Sequence, residues 1–285
     1  MDYKEHYIQT EKGKIYCKEI GKGIPIVFIH GGPGLFHDYF LPYFNQLAEE
    51  YRLIFFDQIG SGRSKLKDNE ADLEVADLIE SLETVKNNLN LDSFHCIGHS
   101  FGPLIAIYYA IKHPNDLISN TMIAPAPGNT ELAKIASNNF QERITEADKK
   151  AIGELMSTNP FKKQDIETIA KIINIRESKR VYNKESFKNH PNYFTMENIQ
   201  KLQIVSSKLD RYFDDYDVYK PLPSIKTPTL ILHGDFDPIP FESSKKFDEL
   251  LPNSKLVLLK DCGHMAFVEK TEEVMKEIDK FLKSI

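Results

Sequence analysis

The chain has 285 residues, 41% of them hydrophobic and 27% charged, and a formal net charge of −6 at pH 7. That composition belongs to an ordinary globular protein, long enough to bury one large core or one core with an insertion. The acidic balance leaves no electrostatic footprint for nucleic acid, and no run of about 18 apolar residues offers a membrane span.

The N-terminus, Met1-Asp2-Tyr3-Lys4-Glu5-His6, has no apolar core of a signal peptide, so a cytoplasmic location is expected. A hairpin follows, with strands His6–Thr10 and Lys14–Lys18 joined across Glu11-Lys12-Gly13. Next come a strand over Ile24–Ile29, a helix near Asp38–Glu49 and a strand over Arg52–Phe56. Val75, Leu78, Ile79, Leu82, Val85 and Leu89 recur at helical spacing and lead into a strand over Ser93–Ile97. A buried helix over Leu104–Ile111 and a strand over Ile118–Ile123 complete the first half. Strands alternating with helices predict a mainly parallel sheet covered on both faces.

The alternation stops between about Ala126 and Lys220, where Lys- and Glu-rich helical patterns such as Ile166, Ile169, Ile172 and Ile173 take over. It resumes with strands over Thr229–His233 and Lys255–Leu259. The expected organisation is therefore a core of residues 1–125 and 221–285, with 126–220 inserted as a helical cap over the carboxyl edge of the sheet. Aromatic residues of this insertion, Phe161, Tyr193, Phe194, Tyr212, Phe213 and Tyr216, are candidates either for an apolar substrate pocket or for the cap's own core.

Chemistry concentrates at strand ends. Gly98-His99-Ser100-Phe101-Gly102 is a G-x-S-x-G at a strand-to-helix junction, where a tight turn pushes the serine out as a nucleophile and the glycines let strand and helix pass. His30-Gly31-Gly32-Pro33-Gly34 ends another strand in a loop of bare amides. With the amides of Gly32 and Phe101 as donors it suits an oxyanion hole, each donor worth roughly 3–4 kcal/mol when lost. Asp237 and His264 each follow a strand, and the order Ser, Asp, His gives a nucleophile, an orienting acid and a general base.

Asp235 competes for the acid role, but Asp237 lies deeper in its loop, before Pro238-Ile239-Pro240. Asp235 fits better as a partner of turn amides. Cys262 is close to His264 yet lacks the elbow a nucleophile needs. Cys17, Cys96 and Cys262 are odd in number and scattered, as free buried thiols in a reducing compartment would be. His95 and His99 show H-x-x-x-H spacing, but across a strand they stand ~13 Å apart, so no metal is expected. Gly60 and Gly62 make the segment Asp57–Ser64 a structural turn beside the oxyanion loop, with Arg63 expected to pair with Asp57.

These segments together resemble the α/β-hydrolase superfamily, and within it the proline iminopeptidase-like branch. The resemblance rests on His30–Gly34, His37-Asp38-Tyr39, Asp57–Ser64, the Ser100 elbow and the Asp237 and His264 segments, and leaves only the middle of the chain uncovered. It implies an α/β-hydrolase fold with a mostly parallel eight-stranded sheet flanked by helices, and a cofactor-free serine hydrolase acting on a small amide, ester or short peptide. Relatives of this type are often aminopeptidases that grip a free amine with acidic residues, one in the cap and one directly after the catalytic aspartate. Here the latter position is Pro238, and Ser206 and Ser207 stand where a cap glutamate is expected upstream of Asp215-Tyr216-Asp217-Val218. Glu185, Glu197 and Glu242 are the candidate substitutes. Pro103, where relatives usually have glycine, sits in the first helical turn and is expected to shift the pocket wall without breaking the elbow. Rivals on the same scaffold are a carboxylesterase-like hydrolase, a lyase or cofactor-free oxygenase using His264 as base, and a ligand-binding protein.

Overall fold

The computed structural model describes residues 2–68, 72–188, 190 and 195–285. Nine strands form one sheet among these residues: β1 (Tyr3–Gln9), β2 (Gly13–Gly21), β3 (Ile24–Ile29), β4 (Tyr51–Phe56), β5 (Lys65–Leu66), β6 (Phe94–His99), β7 (Leu117–Ile123), β8 (Thr229–Gly234) and β9 (Ser254–Leu259). The order is β1-β2-β4-β3-β6-β7-β8-β9, with the two-residue β5 pairing β2 at the side. Eight strands thus make the main path, as the resemblance implies. From β4 to β9 every pairing is parallel, while β1, β2 and β5 pair antiparallel. All the parallel strands therefore point their carboxyl ends to one edge, where an open α/β sheet binds its ligands.

The helices are α1 (Leu41–Phe44), α2 (Val75–Asn88), α3 (Gly102–Lys112), α4 (Thr130–Glu142), α5 (Glu146–Ser157), α6 (Asn159–Lys162), α7 (Ile166–Glu177), α8 (Lys184–Lys188), α9 (Met196–Asp214), α10 (Phe241–Leu250), α11 (Ala266–Glu269) and α12 (Thr271–Leu282). Strand side chains alternate between two cores, because successive Cβ atoms point to opposite faces. Val27, Ile29, Ile54 and Phe56 join the core under α2 and α3, while Ile26, Phe28, Leu53 and Phe55 join the one holding Phe40, Phe44, Phe267 and Ile278. Each fully buried phenylalanine contributes roughly 1.5–3 kcal/mol, so these two layers fix the strand ends firmly.

The helix expected near Asp38–Glu49 is broken instead into a 3-10 turn (His37–Phe40), the single turn α1 and a second 3-10 turn (Asn45–Glu49). Pro42 has no N–H to continue a helix begun before it, and the segment follows its aromatic packing on Phe28 rather than a continuous ladder. Helix α7 also differs from its isoleucine pattern: Thr168 and Ala170 are its buried residues, and the isoleucines are half-buried around them. Between β7 and β8 the described residues form α4 to α9, tied at the base by a bridge between Asn129 and Asp217. Tyr193 and Phe194 lie outside the described residues.

Candidate active site

Ser100 follows β6 with φ of 56°, a left-handed conformation that a residue with a side chain adopts only under constraint. The constraint is visible at the flanking glycines. A Cβ on Gly98 would meet the Pro103 nitrogen at 2.8 Å, and one on Gly102 would overlap the Ile29 carbonyl oxygen. Pro103 itself sits in the first turn of α3, where its missing N–H costs nothing, and the turn is intact. The serine is left half-buried at the sheet edge.

His264 and Asp237 reach this point from β9 and β8. The imidazole Nε2 lies 3.1 Å from Ser100 Oγ, and Nδ1 lies 2.9 Å from Asp237 Oδ2. Asp237 is buried, which by itself would raise its pKa. The charge of His264, its hydrogen bond and the Ile239 amide outweigh burial and hold the carboxyl below its usual value. Asp235 faces elsewhere, accepting from the Cys262 amide at 3.4 Å and lying 3.5 Å from Lys260 Nζ. Burial raises the pKa of the Cys262 thiol, so it stays protonated.

The loop after β3 lies against the serine. A Cβ on Gly31 would stand 2.9 Å from Ser100 Cβ, so only glycine allows this approach. The His30 ring is oriented by its partners: Nε2 accepts from the Gln58 amide at 3.0 Å, which leaves Nδ1 to donate to the Gly31 carbonyl at 2.9 Å. Burial keeps this imidazole neutral, with a pKa lowered to about 4. With the Gly31 carbonyl held on one side, the trans peptide directs the Gly32 N–H to the other. Among the described residues neither the Gly32 nor the Phe101 amide has a hydrogen-bond acceptor in the protein.

The Asp57 turn is built differently from expectation. Asp57 Oδ1 accepts from His37 Nδ1 and from the His37 amide, both at 2.8 Å, and Arg63 offers Asp57 only its backbone N–H, also at 2.8 Å. The Arg63 guanidinium pairs instead with Asp38 at 3.0 and 3.1 Å. Gly62, at φ of 48°, turns the Arg63 backbone inward, so the long side chain leaves toward solvent and the shorter His37 fills the buried place.

The helical insertion grips the loops around Ser100 from several sides. Ser206 Oγ donates to the Pro33 carbonyl at 3.2 Å, and Lys201 Nζ donates to the Gly62 carbonyl at 2.6 Å. Phe213 and Tyr212 pack on Phe101 with ring centroids 5.6 and 6.3 Å away. Tyr216 is buried, its hydroxyl on the Pro127 carbonyl, and belongs to the core. On the histidine side, the His264 amide donates to the Arg180 carbonyl at 2.7 Å. Glu269 then accepts from the amides of Tyr182, Asn183 and Gly263 at 2.7, 3.0 and 3.0 Å. Sequence reasoning missed Glu269. Its one signal is a carboxylate closing the apolar run Met265-Ala266-Phe267-Val268. Of the other acids considered, Glu185 pairs with Lys188 at 2.6 Å, Glu197 with Lys201 at 2.9 Å, and Glu242 is exposed on α10. His95 bonds Ser119 at 2.8 Å and His99 turns to Tyr39 and His264, so the two rings of the H-x-x-x-H spacing serve separate partners.

Comparison with known proteins agrees with this architecture. The family model described as the alpha/beta hydrolase fold matches residues 24–271. A proline iminopeptidase of Clostridioides difficile (strain 630) is 25% identical over 296 residues, covering 100% of this chain and 99% of that protein. Among solved structures, a proline iminopeptidase of Mycobacterium smegmatis superposes with a TM-score of 0.70 at 17% identity, over 99% of this chain and 98% of that one. Naproxen esterase (carboxylesterase NP) from Bacillus subtilis superposes with a TM-score of 0.67 at 18% identity, over 99% and 92% respectively. At these identities the two structures speak for the fold alone. Among the described residues no helix is long and apolar enough to cross a membrane.

Proposed function

The chain belongs to the alpha/beta hydrolase fold family, in the branch of its full-length proline iminopeptidase relatives, and from that premise we propose that it is a serine hydrolase cleaving a small ester or amide through an acyl-enzyme on Ser100. The observation that carries this reading is the 3.1 Å approach of His264 Nε2 to Ser100 Oγ, with Asp237 behind the imidazole at 2.9 Å. Ser100 Oγ attacks the substrate carbonyl while His264 Nε2 takes its proton. The proton passes to the leaving alcohol or amine as the tetrahedral intermediate collapses. Water then enters, gives a proton to His264, attacks the acyl carbon and releases the acid with Ser100 restored.

Asp237 holds the Nδ1–H tautomer and offsets the positive charge on the ring. The amides of Gly32 and Phe101, which lack acceptors among the described residues, are the donors for the oxyanion. Residues 126–220 act as a cap, and Tyr212 and Phe213, packed on Phe101, form the apolar wall next to the acyl group. The ligand is a small molecule or a short peptide.

Labelling with a fluorophosphonate tests the reading. The native protein should be captured covalently at Ser100 and Ser100→Ala should not. A folded native protein that stays unlabelled, or one labelled at another residue, overturns it.

A further inference from the structure

Tyr39, His99 and the backbone of His264 form a buried chain of hydrogen bonds that the steps above do not use. The Gly31 amide donates to Tyr39 Oη at 2.8 Å, Tyr39 Oη lies 3.2 Å from His99 Nδ1, and His99 Nε2 lies 3.1 Å from the His264 carbonyl oxygen. Only one arrangement of protons satisfies every group. The His264 carbonyl accepts and never donates, so His99 Nε2 carries the proton. Nδ1 is then bare and accepts from the Tyr39 hydroxyl, whose remaining lone pair takes the Gly31 N–H. Burial, and next the charge of His264, keep the His99 imidazole neutral by lowering its pKa to about 3, as a ring that must donate and accept at once requires.

We propose that the Tyr39 hydroxyl and the His99 imidazole are positioning residues that fix the Gly31 backbone from its amide side, so that the following Gly31–Gly32 peptide presents the Gly32 N–H to the tetrahedral oxygen. The inference rests on the serine-hydrolase reading. Gly31 is held at its carbonyl by His30 and at its amide by Tyr39, and it stands against Ser100 itself. Release of the amide frees the His30–Gly31 peptide to turn, and through the Gly31 Cα this shifts the following Gly31–Gly32 plane, which carries the Gly32 N–H and is then held by the His30 ring alone. Tyr39 is well fixed for this work: its ring packs on Phe40 at 4.4 Å and on Phe267 at 5.8 Å, and Phe267 also stands edge-on to His99 at 5.1 Å. The same chain joins the oxyanion loop to the backbone that carries the general base. A displacement of about 1 Å in such a donor is enough to cost up to 100-fold in rate.

Tyr39→Phe removes the hydroxyl and keeps the ring. With a p-nitrophenyl ester, kcat should fall about 10- to 100-fold with KM changed less than about twofold, because the lost alignment matters only once the oxygen is charged. Affinity for a boronic acid, which becomes tetrahedral and anionic on serine, should fall by the same factor, and affinity for an unreactive ether analogue of the ester should not change. Unchanged kcat and boronate affinity in a variant whose melting temperature alone drops would overturn the proposal. In the native protein, 15N NMR should find the His99 proton on Nε2, and the opposite tautomer overturns the proposal even where Tyr39→Phe fails to fold. Native protein unlabelled by fluorophosphonate defeats the serine-hydrolase reading itself. Native protein labelled normally, with Tyr39→Phe labelled equally fast, defeats only the positioning role.

Discussion

Asp237 stands 2.9 Å from His264 Nδ1, while Asp235, two residues earlier on the same loop, turns to the Cys262 amide. The pair makes a controlled experiment. Asp237→Asn places an amide where a carboxylate accepted, favours the wrong imidazole tautomer and should lower kcat by about 10⁴. Asp235→Asn keeps a carbonyl for the Cys262 amide and should change kcat less than about threefold, the Asp235 carboxylate being partly exposed and engaged with the Cys262 amide and Lys260. Steady-state kinetics of both variants decide it, and equal losses would reject Asp237 as the orienting acid.

What a sequence displays at strand ends is legible because short local patterns encode it. Ser100 between its glycines, Asp237 before two prolines and His264 after an apolar edge strand can each be placed by the strand that precedes them, and the parallel sheet then collects them at one edge. The partner of Arg63 is not legible in the sequence, because charge and proximity along the chain favour Asp57, whereas the left-handed turn at Gly62 decides which part of Arg63 faces inward. Glu269 was invisible because two of its donors, the Tyr182 and Asn183 amides, come from the insertion and meet it only after tertiary folding. The irregular segment from His37 to Glu49 has helical spacing but is governed by aromatic contacts with the sheet.

Glu269 joins the insertion to the His264 loop through three backbone donors. Burial is the main influence on its pKa and raises it, despite the opposing amide bonds, so the fold tolerates a neutral group there. Glu269→Gln keeps one carbonyl oxygen for some of the donors and should cost about 1 kcal/mol, while Glu269→Ala strands all three and should cost about 3 kcal/mol. Urea unfolding measures both. Equal stability of the alanine variant and the native protein would show that the bridge carries no weight.

Two buried carboxylates, Asp57 and Asp237, are held below their ordinary pKa. In each, burial pushes upward and is outweighed, by His37 at Asp57 and by His264 at Asp237. The unfolded chain therefore binds protons that the folded chain refuses, so their stabilisation is complete above the unfolded value near 4 and is lost as pH falls through the folded values. Each group should contribute about 1.4 kcal/mol per pH unit to the slope of stability against pH in that window. Urea titrations below about pH 4 should show Asp57→Asn with a slope shallower by roughly that amount. An unchanged slope would mean that Asp57 titrates as it does in the unfolded chain.

Specificity for a free amine is the property that the local chemistry argues against. An ammonium taken out of water needs a carboxylate, and without one it loses several kcal/mol. Directly after Asp237 stands Pro238, Ser206 spends its hydroxyl on the Pro33 carbonyl, and Glu185 and Glu197 are paired with Lys188 and Lys201. Across a parallel panel of p-nitrophenyl esters and of aminoacyl and prolyl arylamides, acetylating the substrate amine should alter kcat/KM less than about threefold, since no charge pair is lost. An uncharged acyl group should be accepted at least as well as an aminoacyl group. If arylamide turnover is high and disappears on acetylation, a carboxylate outside this set must grip the amine, and Glu242, exposed on the first turn of α10 beyond Pro240, becomes the first residue to replace.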